Sequence, residues 1–172
     1  MGVPKRRAKP KPSPASSNPV GYQAPEGSWA SSAATRKAMQ ANRSRDTRPE
    51  LAVRSAVHAR GLRYRVAVRP IRGVRRSADL VFTRARVAVF IDGCFWHGCP
   101  EHFRLPATNP DYWGPKIRAN TARDAETDAL LALEGWTVLR IWEHTLAVEA
   151  ATRIEGAVRE RLAGLRRPPE VP

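Results

Sequence analysis

Three residues of the kind that bind transition metals lie close together in this chain: Cys94, Cys99 and His102, spaced C-x4-C-x2-H. Thiolate and imidazole are the ligands of four-coordinate structural zinc sites. The three residues lie in segment 93–110, whose Gly and Pro content predicts a loop. A long loop without secondary structure needs something to order it, so we predict a zinc ion held by these side chains and one further ligand.

The fourth ligand must then be another histidine, and the chain offers His58, His97 and His144. His144 follows the apolar run 136–142, which predicts a buried central strand, so it can lie over the loop. His97 lies between the two cysteines, where the same tight loop would strain to present it. The alternative is two free thiols and solvated histidines, since the chain's two cysteines cannot form a disulfide framework.

The remaining pattern predicts an α/β fold, a central mixed sheet with helices packed on its faces. Thr47-Arg48-Pro49-Glu50 has the form of a capping box that opens a helix, and Gly61 ends it. The 172 residues suit one domain: a disordered, basic, Pro-rich tail over 1–30, a folded domain over 31–165 and a C-terminal tail over 166–172. Helices are expected over about 31–43, 47–60, 115–134 and 148–165, and strands over 64–68, 79–83, 87–91 and 136–142.

The strands 79–83 and 87–91 are separated by a short turn and predict a hairpin. Symmetric pairing about Ala85 sets Asp79 opposite Ile91, so the start of one strand lies beside the end of the next. Asp79, the Ile91 carbonyl and Asp92 would then converge, with His97 in the loop that follows. Hard oxygen donors suit Mg²⁺, and a nearby imidazole could take a proton from water.

Each of these carboxylates also has a plainer explanation. Asp79 and Asp92 could simply end their strands and pair with arginines, which are abundant in this chain. The capping-box position accounts fully for Glu50, although a first-turn glutamate can also lean toward a metal.

The excess positive charge of +14 lies in the front half of the chain. Residues 36–76 carry thirteen basic and two acidic residues, whereas residues 77–172 are nearly balanced. A localised basic face favours a polyanion such as nucleic acid, although codon bias toward arginine is an alternative. The longest apolar run, 87–91, is too short for a membrane span, and the N-terminus lacks a secretory signal, so we expect a cytoplasmic protein.

The run from Phe90 to His102, FIDGCFWHGCPEH, resembles the very short patch repair (Vsr) mismatch endonucleases. The resemblance covers roughly residues 31–165, in order and with compatible spacing. Its other blocks are 39–47 with Glu50, Ala78–Phe82, Pro106–Thr108, Tyr112-Trp113, Gly135-Trp136 and Ile141–His144.

The resemblance implies a fold like that of type II restriction endonucleases, with a structural zinc loop. It implies a Mg²⁺-dependent enzyme that nicks double-stranded DNA on the 5′ side of the thymine in T:G mismatches, which arise by deamination of 5-methylcytosine. A bacterial, nucleoid-associated monomer is expected, with mismatch-repair proteins as candidate partners.

The resemblance also assigns roles to residues. Asp79 matches the main metal carboxylate with the Ile91 backbone carbonyl beside it, and His97 matches the histidine that activates water. Glu50 matches an outer carboxylate, and Asp92 a ligand or proton handler at a position that is His in some members. Four residues match the zinc ligands: Cys94, Cys99, His102 and His144. Four match groups that intercalate into DNA: Phe95, Trp96, Trp113 and, from the minor groove, Met39.

One departure concerns the wider nuclease superfamily, whose (D/E)-x-K pattern would place a lysine at the position of Cys94. The lysine's part in handling the water must then pass to another group, and His97 is the candidate. Two other functions fit the same residues, a restriction-type endonuclease and a zinc-stabilised DNA-binding module without activity. The intact Asp79 and His97 argue against the inactive module.

Overall fold

The computed structural model describes residues 45–165 together with Lys37. The predicted tails 1–30 and 166–172, Met39, and all of the predicted helix 31–43 except Lys37 lie outside the described residues. None of the described helices is both long and apolar enough to cross a membrane. The elements within 45–165 are α1 Arg48–Ala59, β1 Arg65–Val68, β2 Ala78–Phe82, β3 Val87–Asp92, α2 Pro110–Leu133, β4 Thr137–Trp142 and α3 Ala147–Gly164.

Helix α1 begins where the capping box predicts. The Thr47 side chain accepts a hydrogen bond from the backbone N–H of Glu50, and a proline stands in the first turn. Gly61 follows the helix in a left-handed conformation, with φ of 76°. The predicted helix is confirmed, and its cap fixes the direction in which the Glu50 side chain leaves the first turn.

The four strands form one sheet in the order β1-β2-β3-β4. β1 and β2 pair antiparallel, as do β2 and β3, whereas β4 lies parallel to β3. A parallel pair needs a crossover connection, which helix α2 provides. The predicted α/β fold with a mixed sheet and flanking helices is confirmed.

Different helices cover the two faces of the sheet. On one face, α1 and α3 pack on the strands around a core that includes Val57, Leu80 and Ile154. On the other face, a smaller core joins Phe90 of β3 to Leu131 of α2. Fully burying each such side chain stabilises the fold by roughly 1.5–3 kcal/mol. This packing holds β2 and β3, whose neighbouring ends carry the predicted carboxylates.

The prediction that the run 136–142 forms a central strand is wrong, because β4 is an edge strand of the sheet formed by the described residues. Ile141 is fully buried, while the other β4 residues are only partly buried. The apolar run reflects burial of both strand faces: Val138 packs against one core and Leu139 against the other. A run of apolar residues shows that both faces of a strand are buried, but it does not indicate whether the strand has one neighbouring strand or two.

The β2–β3 hairpin is one residue out of the predicted register. Phe82 pairs with Val87, which puts Phe90 rather than Ile91 across from Asp79. The turn holds four residues, 83–86, and its last residue adopts a left-handed conformation with φ of 52°. A one-residue change in turn length shifts the register by one, and the apolar pattern of the strands did not specify that length.

Helix α2 begins at Pro110, five residues before the predicted start at Pro115. Pro110 lies in the first turn, where a missing N–H is tolerated, and Asn109 before it has a left-handed backbone. Pro115 lies inside the helix and forgoes one backbone hydrogen bond. The earlier start places Trp113 on the helix, where its ring packs against the loop 93–109.

Candidate active site and metal cluster

The carboxylate of Asp79 lies at the start of β2, beside the end of β3. Its Oδ2 atom accepts a hydrogen bond of 2.7 Å from the backbone N–H of Ile91. The pKa of Asp79 is raised to about 6, chiefly by burial and also by the carboxylates of Glu50 and Asp92. The Ile91 N–H and the Arg54 guanidinium act in the opposite direction. Negative charge around Asp79 is therefore only partly balanced.

Glu50 reaches this region from the first turn of α1. Its carboxylate accepts hydrogen bonds from the Thr47 hydroxyl and the Asp46 backbone N–H, both at 2.9 Å. Arg54, one turn further on, donates to the same carboxylate at 2.9 Å. Glu50 and Arg54 are both buried. The cap thus accounts for two of these hydrogen bonds, and Arg54 supplies the third. The charge of Glu50 also contributes to the raised pKa of Asp79, so Glu50 both caps the helix and acts on Asp79.

His97 lies in the loop after β3 and faces helix α2. Its Nδ1 atom is 2.6 Å from Oδ2 of Asp124 and 3.6 Å from Oδ1 of Asp92. An imidazole that donates Nδ1–H to a carboxylate keeps Nε2 free to accept a proton. A base oriented by a third group in this way is the usual arrangement for activating a nucleophile. The contact with Asp124 therefore leaves Nε2 of His97 available to accept a proton.

Asp92 ends β3 and is ion-paired with Arg140 of the neighbouring strand β4. Nη1 of Arg140 donates to both carboxylate oxygens of Asp92, at 2.9 and 2.8 Å. Burial raises the pKa of Asp92, and the pairing with Arg140 opposes that shift. The arginine-paired alternative thus describes Asp92, whereas within residues 45–165 Asp79 forms no such ion pair.

A pocket of about 220 Å³ opens beside these groups, lined by His97 and by residues of β3, α2 and β4. Two of its residues, Asp124 and Arg140, are not among those that the sequence predicted as functional. Arg140 carried a signal, as the one charged residue in the apolar run 136–142. Asp124 carried none, because it lies 27 positions from His97 on a helix with several other acidic residues.

Cys94, Cys99, His102 and His144 form a second cluster, with their ligand atoms all within 4.8 Å of one another. The Nδ1 atoms of the two histidines are 3.1 Å apart. The sulfur–nitrogen distances range from 3.1 to 3.9 Å. This cluster of two thiols and two imidazoles could hold a metal ion. Of the three histidines that the sequence offered as the fourth ligand, the structure brings His144 to the cluster.

Backbone contacts hold the loop that joins the two sites. The N–H of Cys94 donates to the Glu143 carboxylate at 2.7 Å, and the Asn120 side chain donates to the Trp96 carbonyl at 2.9 Å. Gly98 has φ of 65°, and a Cβ there would lie 3.3 Å from the Ile117 side chain. A side chain between His97 and Cys99 would therefore strain the backbone and press against α2, whereas glycine lets the loop approach the helix closely.

The aromatic residues predicted to intercalate pack on one another. The rings of Phe95, Trp96 and Trp113 make edge-on contacts, with centroids 5.2 to 5.8 Å apart, and Phe103 lies against Phe95. Trp113 is buried, whereas Phe95 and Trp96 are partly exposed. Trp113 thus supports the two rings nearer the surface.

Comparison with known proteins identifies the family. A family model described as DNA mismatch endonuclease Vsr matches residues 30–102. The type II nicking enzyme V.NaeI of Lentzea aerocolonigenes is 50% identical over 118 residues, which cover 67% of this chain and 71% of that protein. The chain belongs to the Vsr family. As a Vsr-family protein it is a nuclease that hydrolyses DNA phosphodiester bonds.

Two further relatives illustrate the breadth of the Vsr family. The type II nicking enzyme V.XorIIP of Xanthomonas oryzae pv. oryzae is 45% identical over 120 residues, which cover 67% of this chain and 86% of that protein. The DNA mismatch endonuclease Vsr of Escherichia coli K12 is 37% identical over 111 residues, which cover 64% of this chain and 69% of that protein.

A Vsr-family nuclease implies a divalent metal ion, and the surroundings of Asp79 fit one. A buried carboxylate whose pKa is raised, in part by neighbouring carboxylates, has negative charge that a cation would stabilise. Asp79 and Glu50 supply hard oxygen donors. Asp92 fits less well, because Arg140 already donates to both of its oxygens.

Asp79→Asn should stabilise the protein in buffer without added divalent metal. The folded-state pKa of about 6 lies above the ordinary value of 3.8, so stability falls as pH rises from about 4 to about 6 and stays lower above that range. Asparagine can still accept the Ile91 N–H but carries no charge. We expect a gain on the order of 2 kcal/mol near pH 8 and a smaller gain near pH 5.

Denaturant unfolding at both pH values measures this gain, without chelators so that the Cys/His cluster is undisturbed. Asp111→Asn is the matched control, since Asp111 is exposed in the first turn of α2 and its loss should cost about 0.3–1 kcal/mol. A destabilised Asp79→Asn protein near pH 8, or a gain that does not shrink near pH 5, would contradict the prediction.

Proposed function

We propose that this protein nicks one strand of duplex DNA on the 5′ side of the thymine in a T:G mismatch left by deamination of 5-methylcytosine. The family model and the E. coli relative, both described as mismatch endonucleases, support the substrate. The relatives described as nicking enzymes support single-strand cleavage. The observation that carries the proposal is that Asp92 lies near both groups. Its charge contributes to the raised pKa of Asp79, and its Oδ1 atom lies 3.6 Å from Nδ1 of His97.

In this mechanism the ionised Asp79 and the Ile91 carbonyl would hold Mg²⁺, and Glu50 would serve as an outer carboxylate. When bound there, the ion would supply positive charge for the extra negative charge of the phosphoryl transition state. Nε2 of His97 takes a proton from water as the water oxygen attacks phosphorus and the 3′ oxygen leaves. Cys94 stands at the superfamily's lysine position, and its side chain belongs to the Cys/His cluster, so His97 is the available base.

The domain organisation and fold belong to the same proposal. The nuclease domain would span residues 31–165, and the mixed sheet within residues 45–165, with Asp79 at a strand end, supports a restriction-endonuclease-like fold. The enzyme would act as a monomer on the bacterial chromosome, with mismatch-repair proteins as candidate partners. Phe95 and Trp96 would enter the duplex as a wedge, supported by the buried Trp113, with Met39 on the minor-groove side.

Nicking of a T:G duplex tests the function. Asp79→Ala and His97→Ala should each lower the single-turnover rate by at least about a hundredfold while mismatch binding persists, since each removes a group of the chemical step. His58→Ala, which changes an exposed histidine of α1, should nick at the wild-type rate. A denaturing gel with Mg²⁺ measures the product.

Comparison of duplexes separates the candidate functions. Equal cleavage of a matched C:G duplex would indicate a restriction-type endonuclease instead, and binding without any nicking would indicate an inactive DNA-binding module. Wild-type-like turnover by either active-site variant would refute the assigned residue roles.

We assign Zn²⁺ to the Cys/His cluster as a structural ion. Zinc–sulfur bonds of about 2.3 Å and zinc–nitrogen bonds of about 2.0–2.1 Å give tetrahedral edges of about 3.3–3.8 Å between ligand atoms. The observed nitrogen–nitrogen and sulfur–nitrogen separations of 3.1–3.9 Å are close to those edges. Glu101 lies 3.7 Å from Nε2 of His144, where an acceptor can orient a ligating imidazole.

Purified protein should contain about one zinc ion per chain by elemental analysis. Cys99→Ser should lose the zinc and lower the thermal midpoint, because the buried Cys99 ties the loop 93–109 to strand β4 through the ion. Asp79→Ala should keep the zinc while losing activity. Metal-free protein that folds with the wild-type midpoint would refute the assignment.

An edge rich in arginine adjoins Asp79. Residues 63–78 contain no acidic residue, and the arginines there form what we term the arginine edge: Arg63, Arg65, Arg69, Arg72, Arg75 and Arg76. All are exposed except Arg76, which is half-buried. The arginine ion pairs within residues 45–165 involve other arginines. The edge runs from β1 through the loop that leads into β2, so it can bind the DNA backbone next to the scissile phosphate.

Replacing Arg69, Arg72 and Arg75 together by Gln should weaken DNA binding and flatten its salt dependence. Each lost phosphate contact lowers the slope of log K against log salt by about 0.9, so the change should be about 2 to 3. A matched triple, Arg84→Gln, Arg153→Gln and Arg159→Gln, removes equal charge from the hairpin turn and α3. Equal changes in slope for the two triples would contradict a role specific to the arginine edge.

A further inference from the structure

Arg140 donates to three carboxylate-bearing residues around the pocket that contains His97. Its Nη1 lies 2.8 Å from Asp92, its Nε lies 2.9 Å from Asp128, and its Nη2 lies 3.3 Å from Oδ1 of Asp124. Nη2 also donates to the backbone carbonyl of Asp124 at 3.3 Å. The guanidinium is planar and presents its donors in a fixed fork, so one rigid group sets the relative positions of all three residues.

The Arg140 side chain is itself held in place. It projects from the middle of β4, which is paired to β3 with Arg140 next to Phe90. The guanidinium carbon lies 4.9 Å from the centre of the Phe90 ring, a cation–π contact. Stacking on one side and ion pairs around its rim leave the guanidinium little freedom to move.

Asp124 connects Arg140 to the candidate base. Its Oδ1 atom faces Arg140, while its Oδ2 atom lies 2.6 Å from Nδ1 of His97. Asp92 is the competing acceptor for that same Nδ1, at 3.6 Å, but Arg140 already donates to both Asp92 oxygens. Arg140 thus occupies the carboxylate oxygens of Asp92 and orients the carboxylate of Asp124, so Nδ1 of His97 pairs with Asp124.

We propose that Arg140 is a positioning residue for the nuclease reaction, which acts through Asp124 to hold the His97 imidazole with Nε2 free to take a proton from water. This rests on the proposed role of His97 as general base. Without Arg140, the repelling carboxylates would separate and the ring could turn toward Asp92. A purely structural Arg140, needed only to neutralise the buried Asp92, would instead affect stability without depending on Asp124.

A double-mutant cycle distinguishes these roles. Arg140→Gln and Asp124→Asn should each lower the single-turnover nicking rate by about tenfold or more, and the double variant should lie within about threefold of the slower single variant. DNA affinity without Mg²⁺ should change less than about threefold in each. Arg159→Gln, which breaks the exposed pair with Glu155 on α3, is the matched control and should nick at the wild-type rate.

Arg140→Lys covers the case in which Arg140→Gln does not fold. Lysine keeps the positive charge beside Asp92 but cannot reproduce the fork, so we expect a wild-type thermal midpoint and zinc content with a rate reduced by about tenfold, again without further loss in the Asp124→Asn background.

Effects that multiply in the double variant, or a wild-type nicking rate in Arg140→Lys, would overturn the proposal. His97→Ala distinguishes a failure of the general-base role of His97 from a failure of the positioning role of Arg140. If that variant nicks at the wild-type rate, the proposed function of His97 fails. If it is inactive and the cycle is multiplicative, only the role of Arg140 fails.

Discussion

The parallel pairing of β3 with β4 is the contact on which both candidate sites depend. It sets Asp92 beside Trp142 and Phe90 beside Arg140, so the arginine reaches the carboxylate at the end of the next strand. The same pairing carries His144, two residues past the end of β4, over the loop that leaves β3, where it meets the cysteines. Because the pairing is parallel, helix α2 must cross back over the sheet, and Asp124 arrives beside His97 on that helix.

Charge is distributed differently at the two ends of the site. Around Asp79, burial and the neighbouring carboxylates of Glu50 and Asp92 raise the pKa of Asp79, while Arg54 acts in the opposite direction. The uncompensated negative charge there favours a divalent cation. Around His97, Arg140 compensates the carboxylates and fixes their geometry. The arginine edge lies outside both regions and bears charge that suits the DNA backbone. A nuclease needs all three: attraction for DNA, a place for a cation, and an oriented base.

Local signals in the sequence were reliable wherever one short segment decided the outcome. The capping box at Thr47 predicted the start of α1, and the spacing of Cys94, Cys99 and His102 predicted a cluster that the structure brings together. These signals failed where a second segment of the chain determined the structure. The β2–β3 register depended on the backbone of the turn, and the apolar run of β4 could not reveal whether another strand lay beside it.

By itself, then, the amino-acid sequence determined the types of its elements, the loop rich in metal ligands, the basic front half and the carboxylates at neighbouring strand ends, because spacing and composition are properties of single segments. Only the tertiary structure decided the partners: Arg140 for Asp92, Asp124 for His97, and His144 for the two cysteines. These pairs join residues 27 to 50 positions apart, and their meeting follows from strand order and helix crossover, which no local pattern encodes.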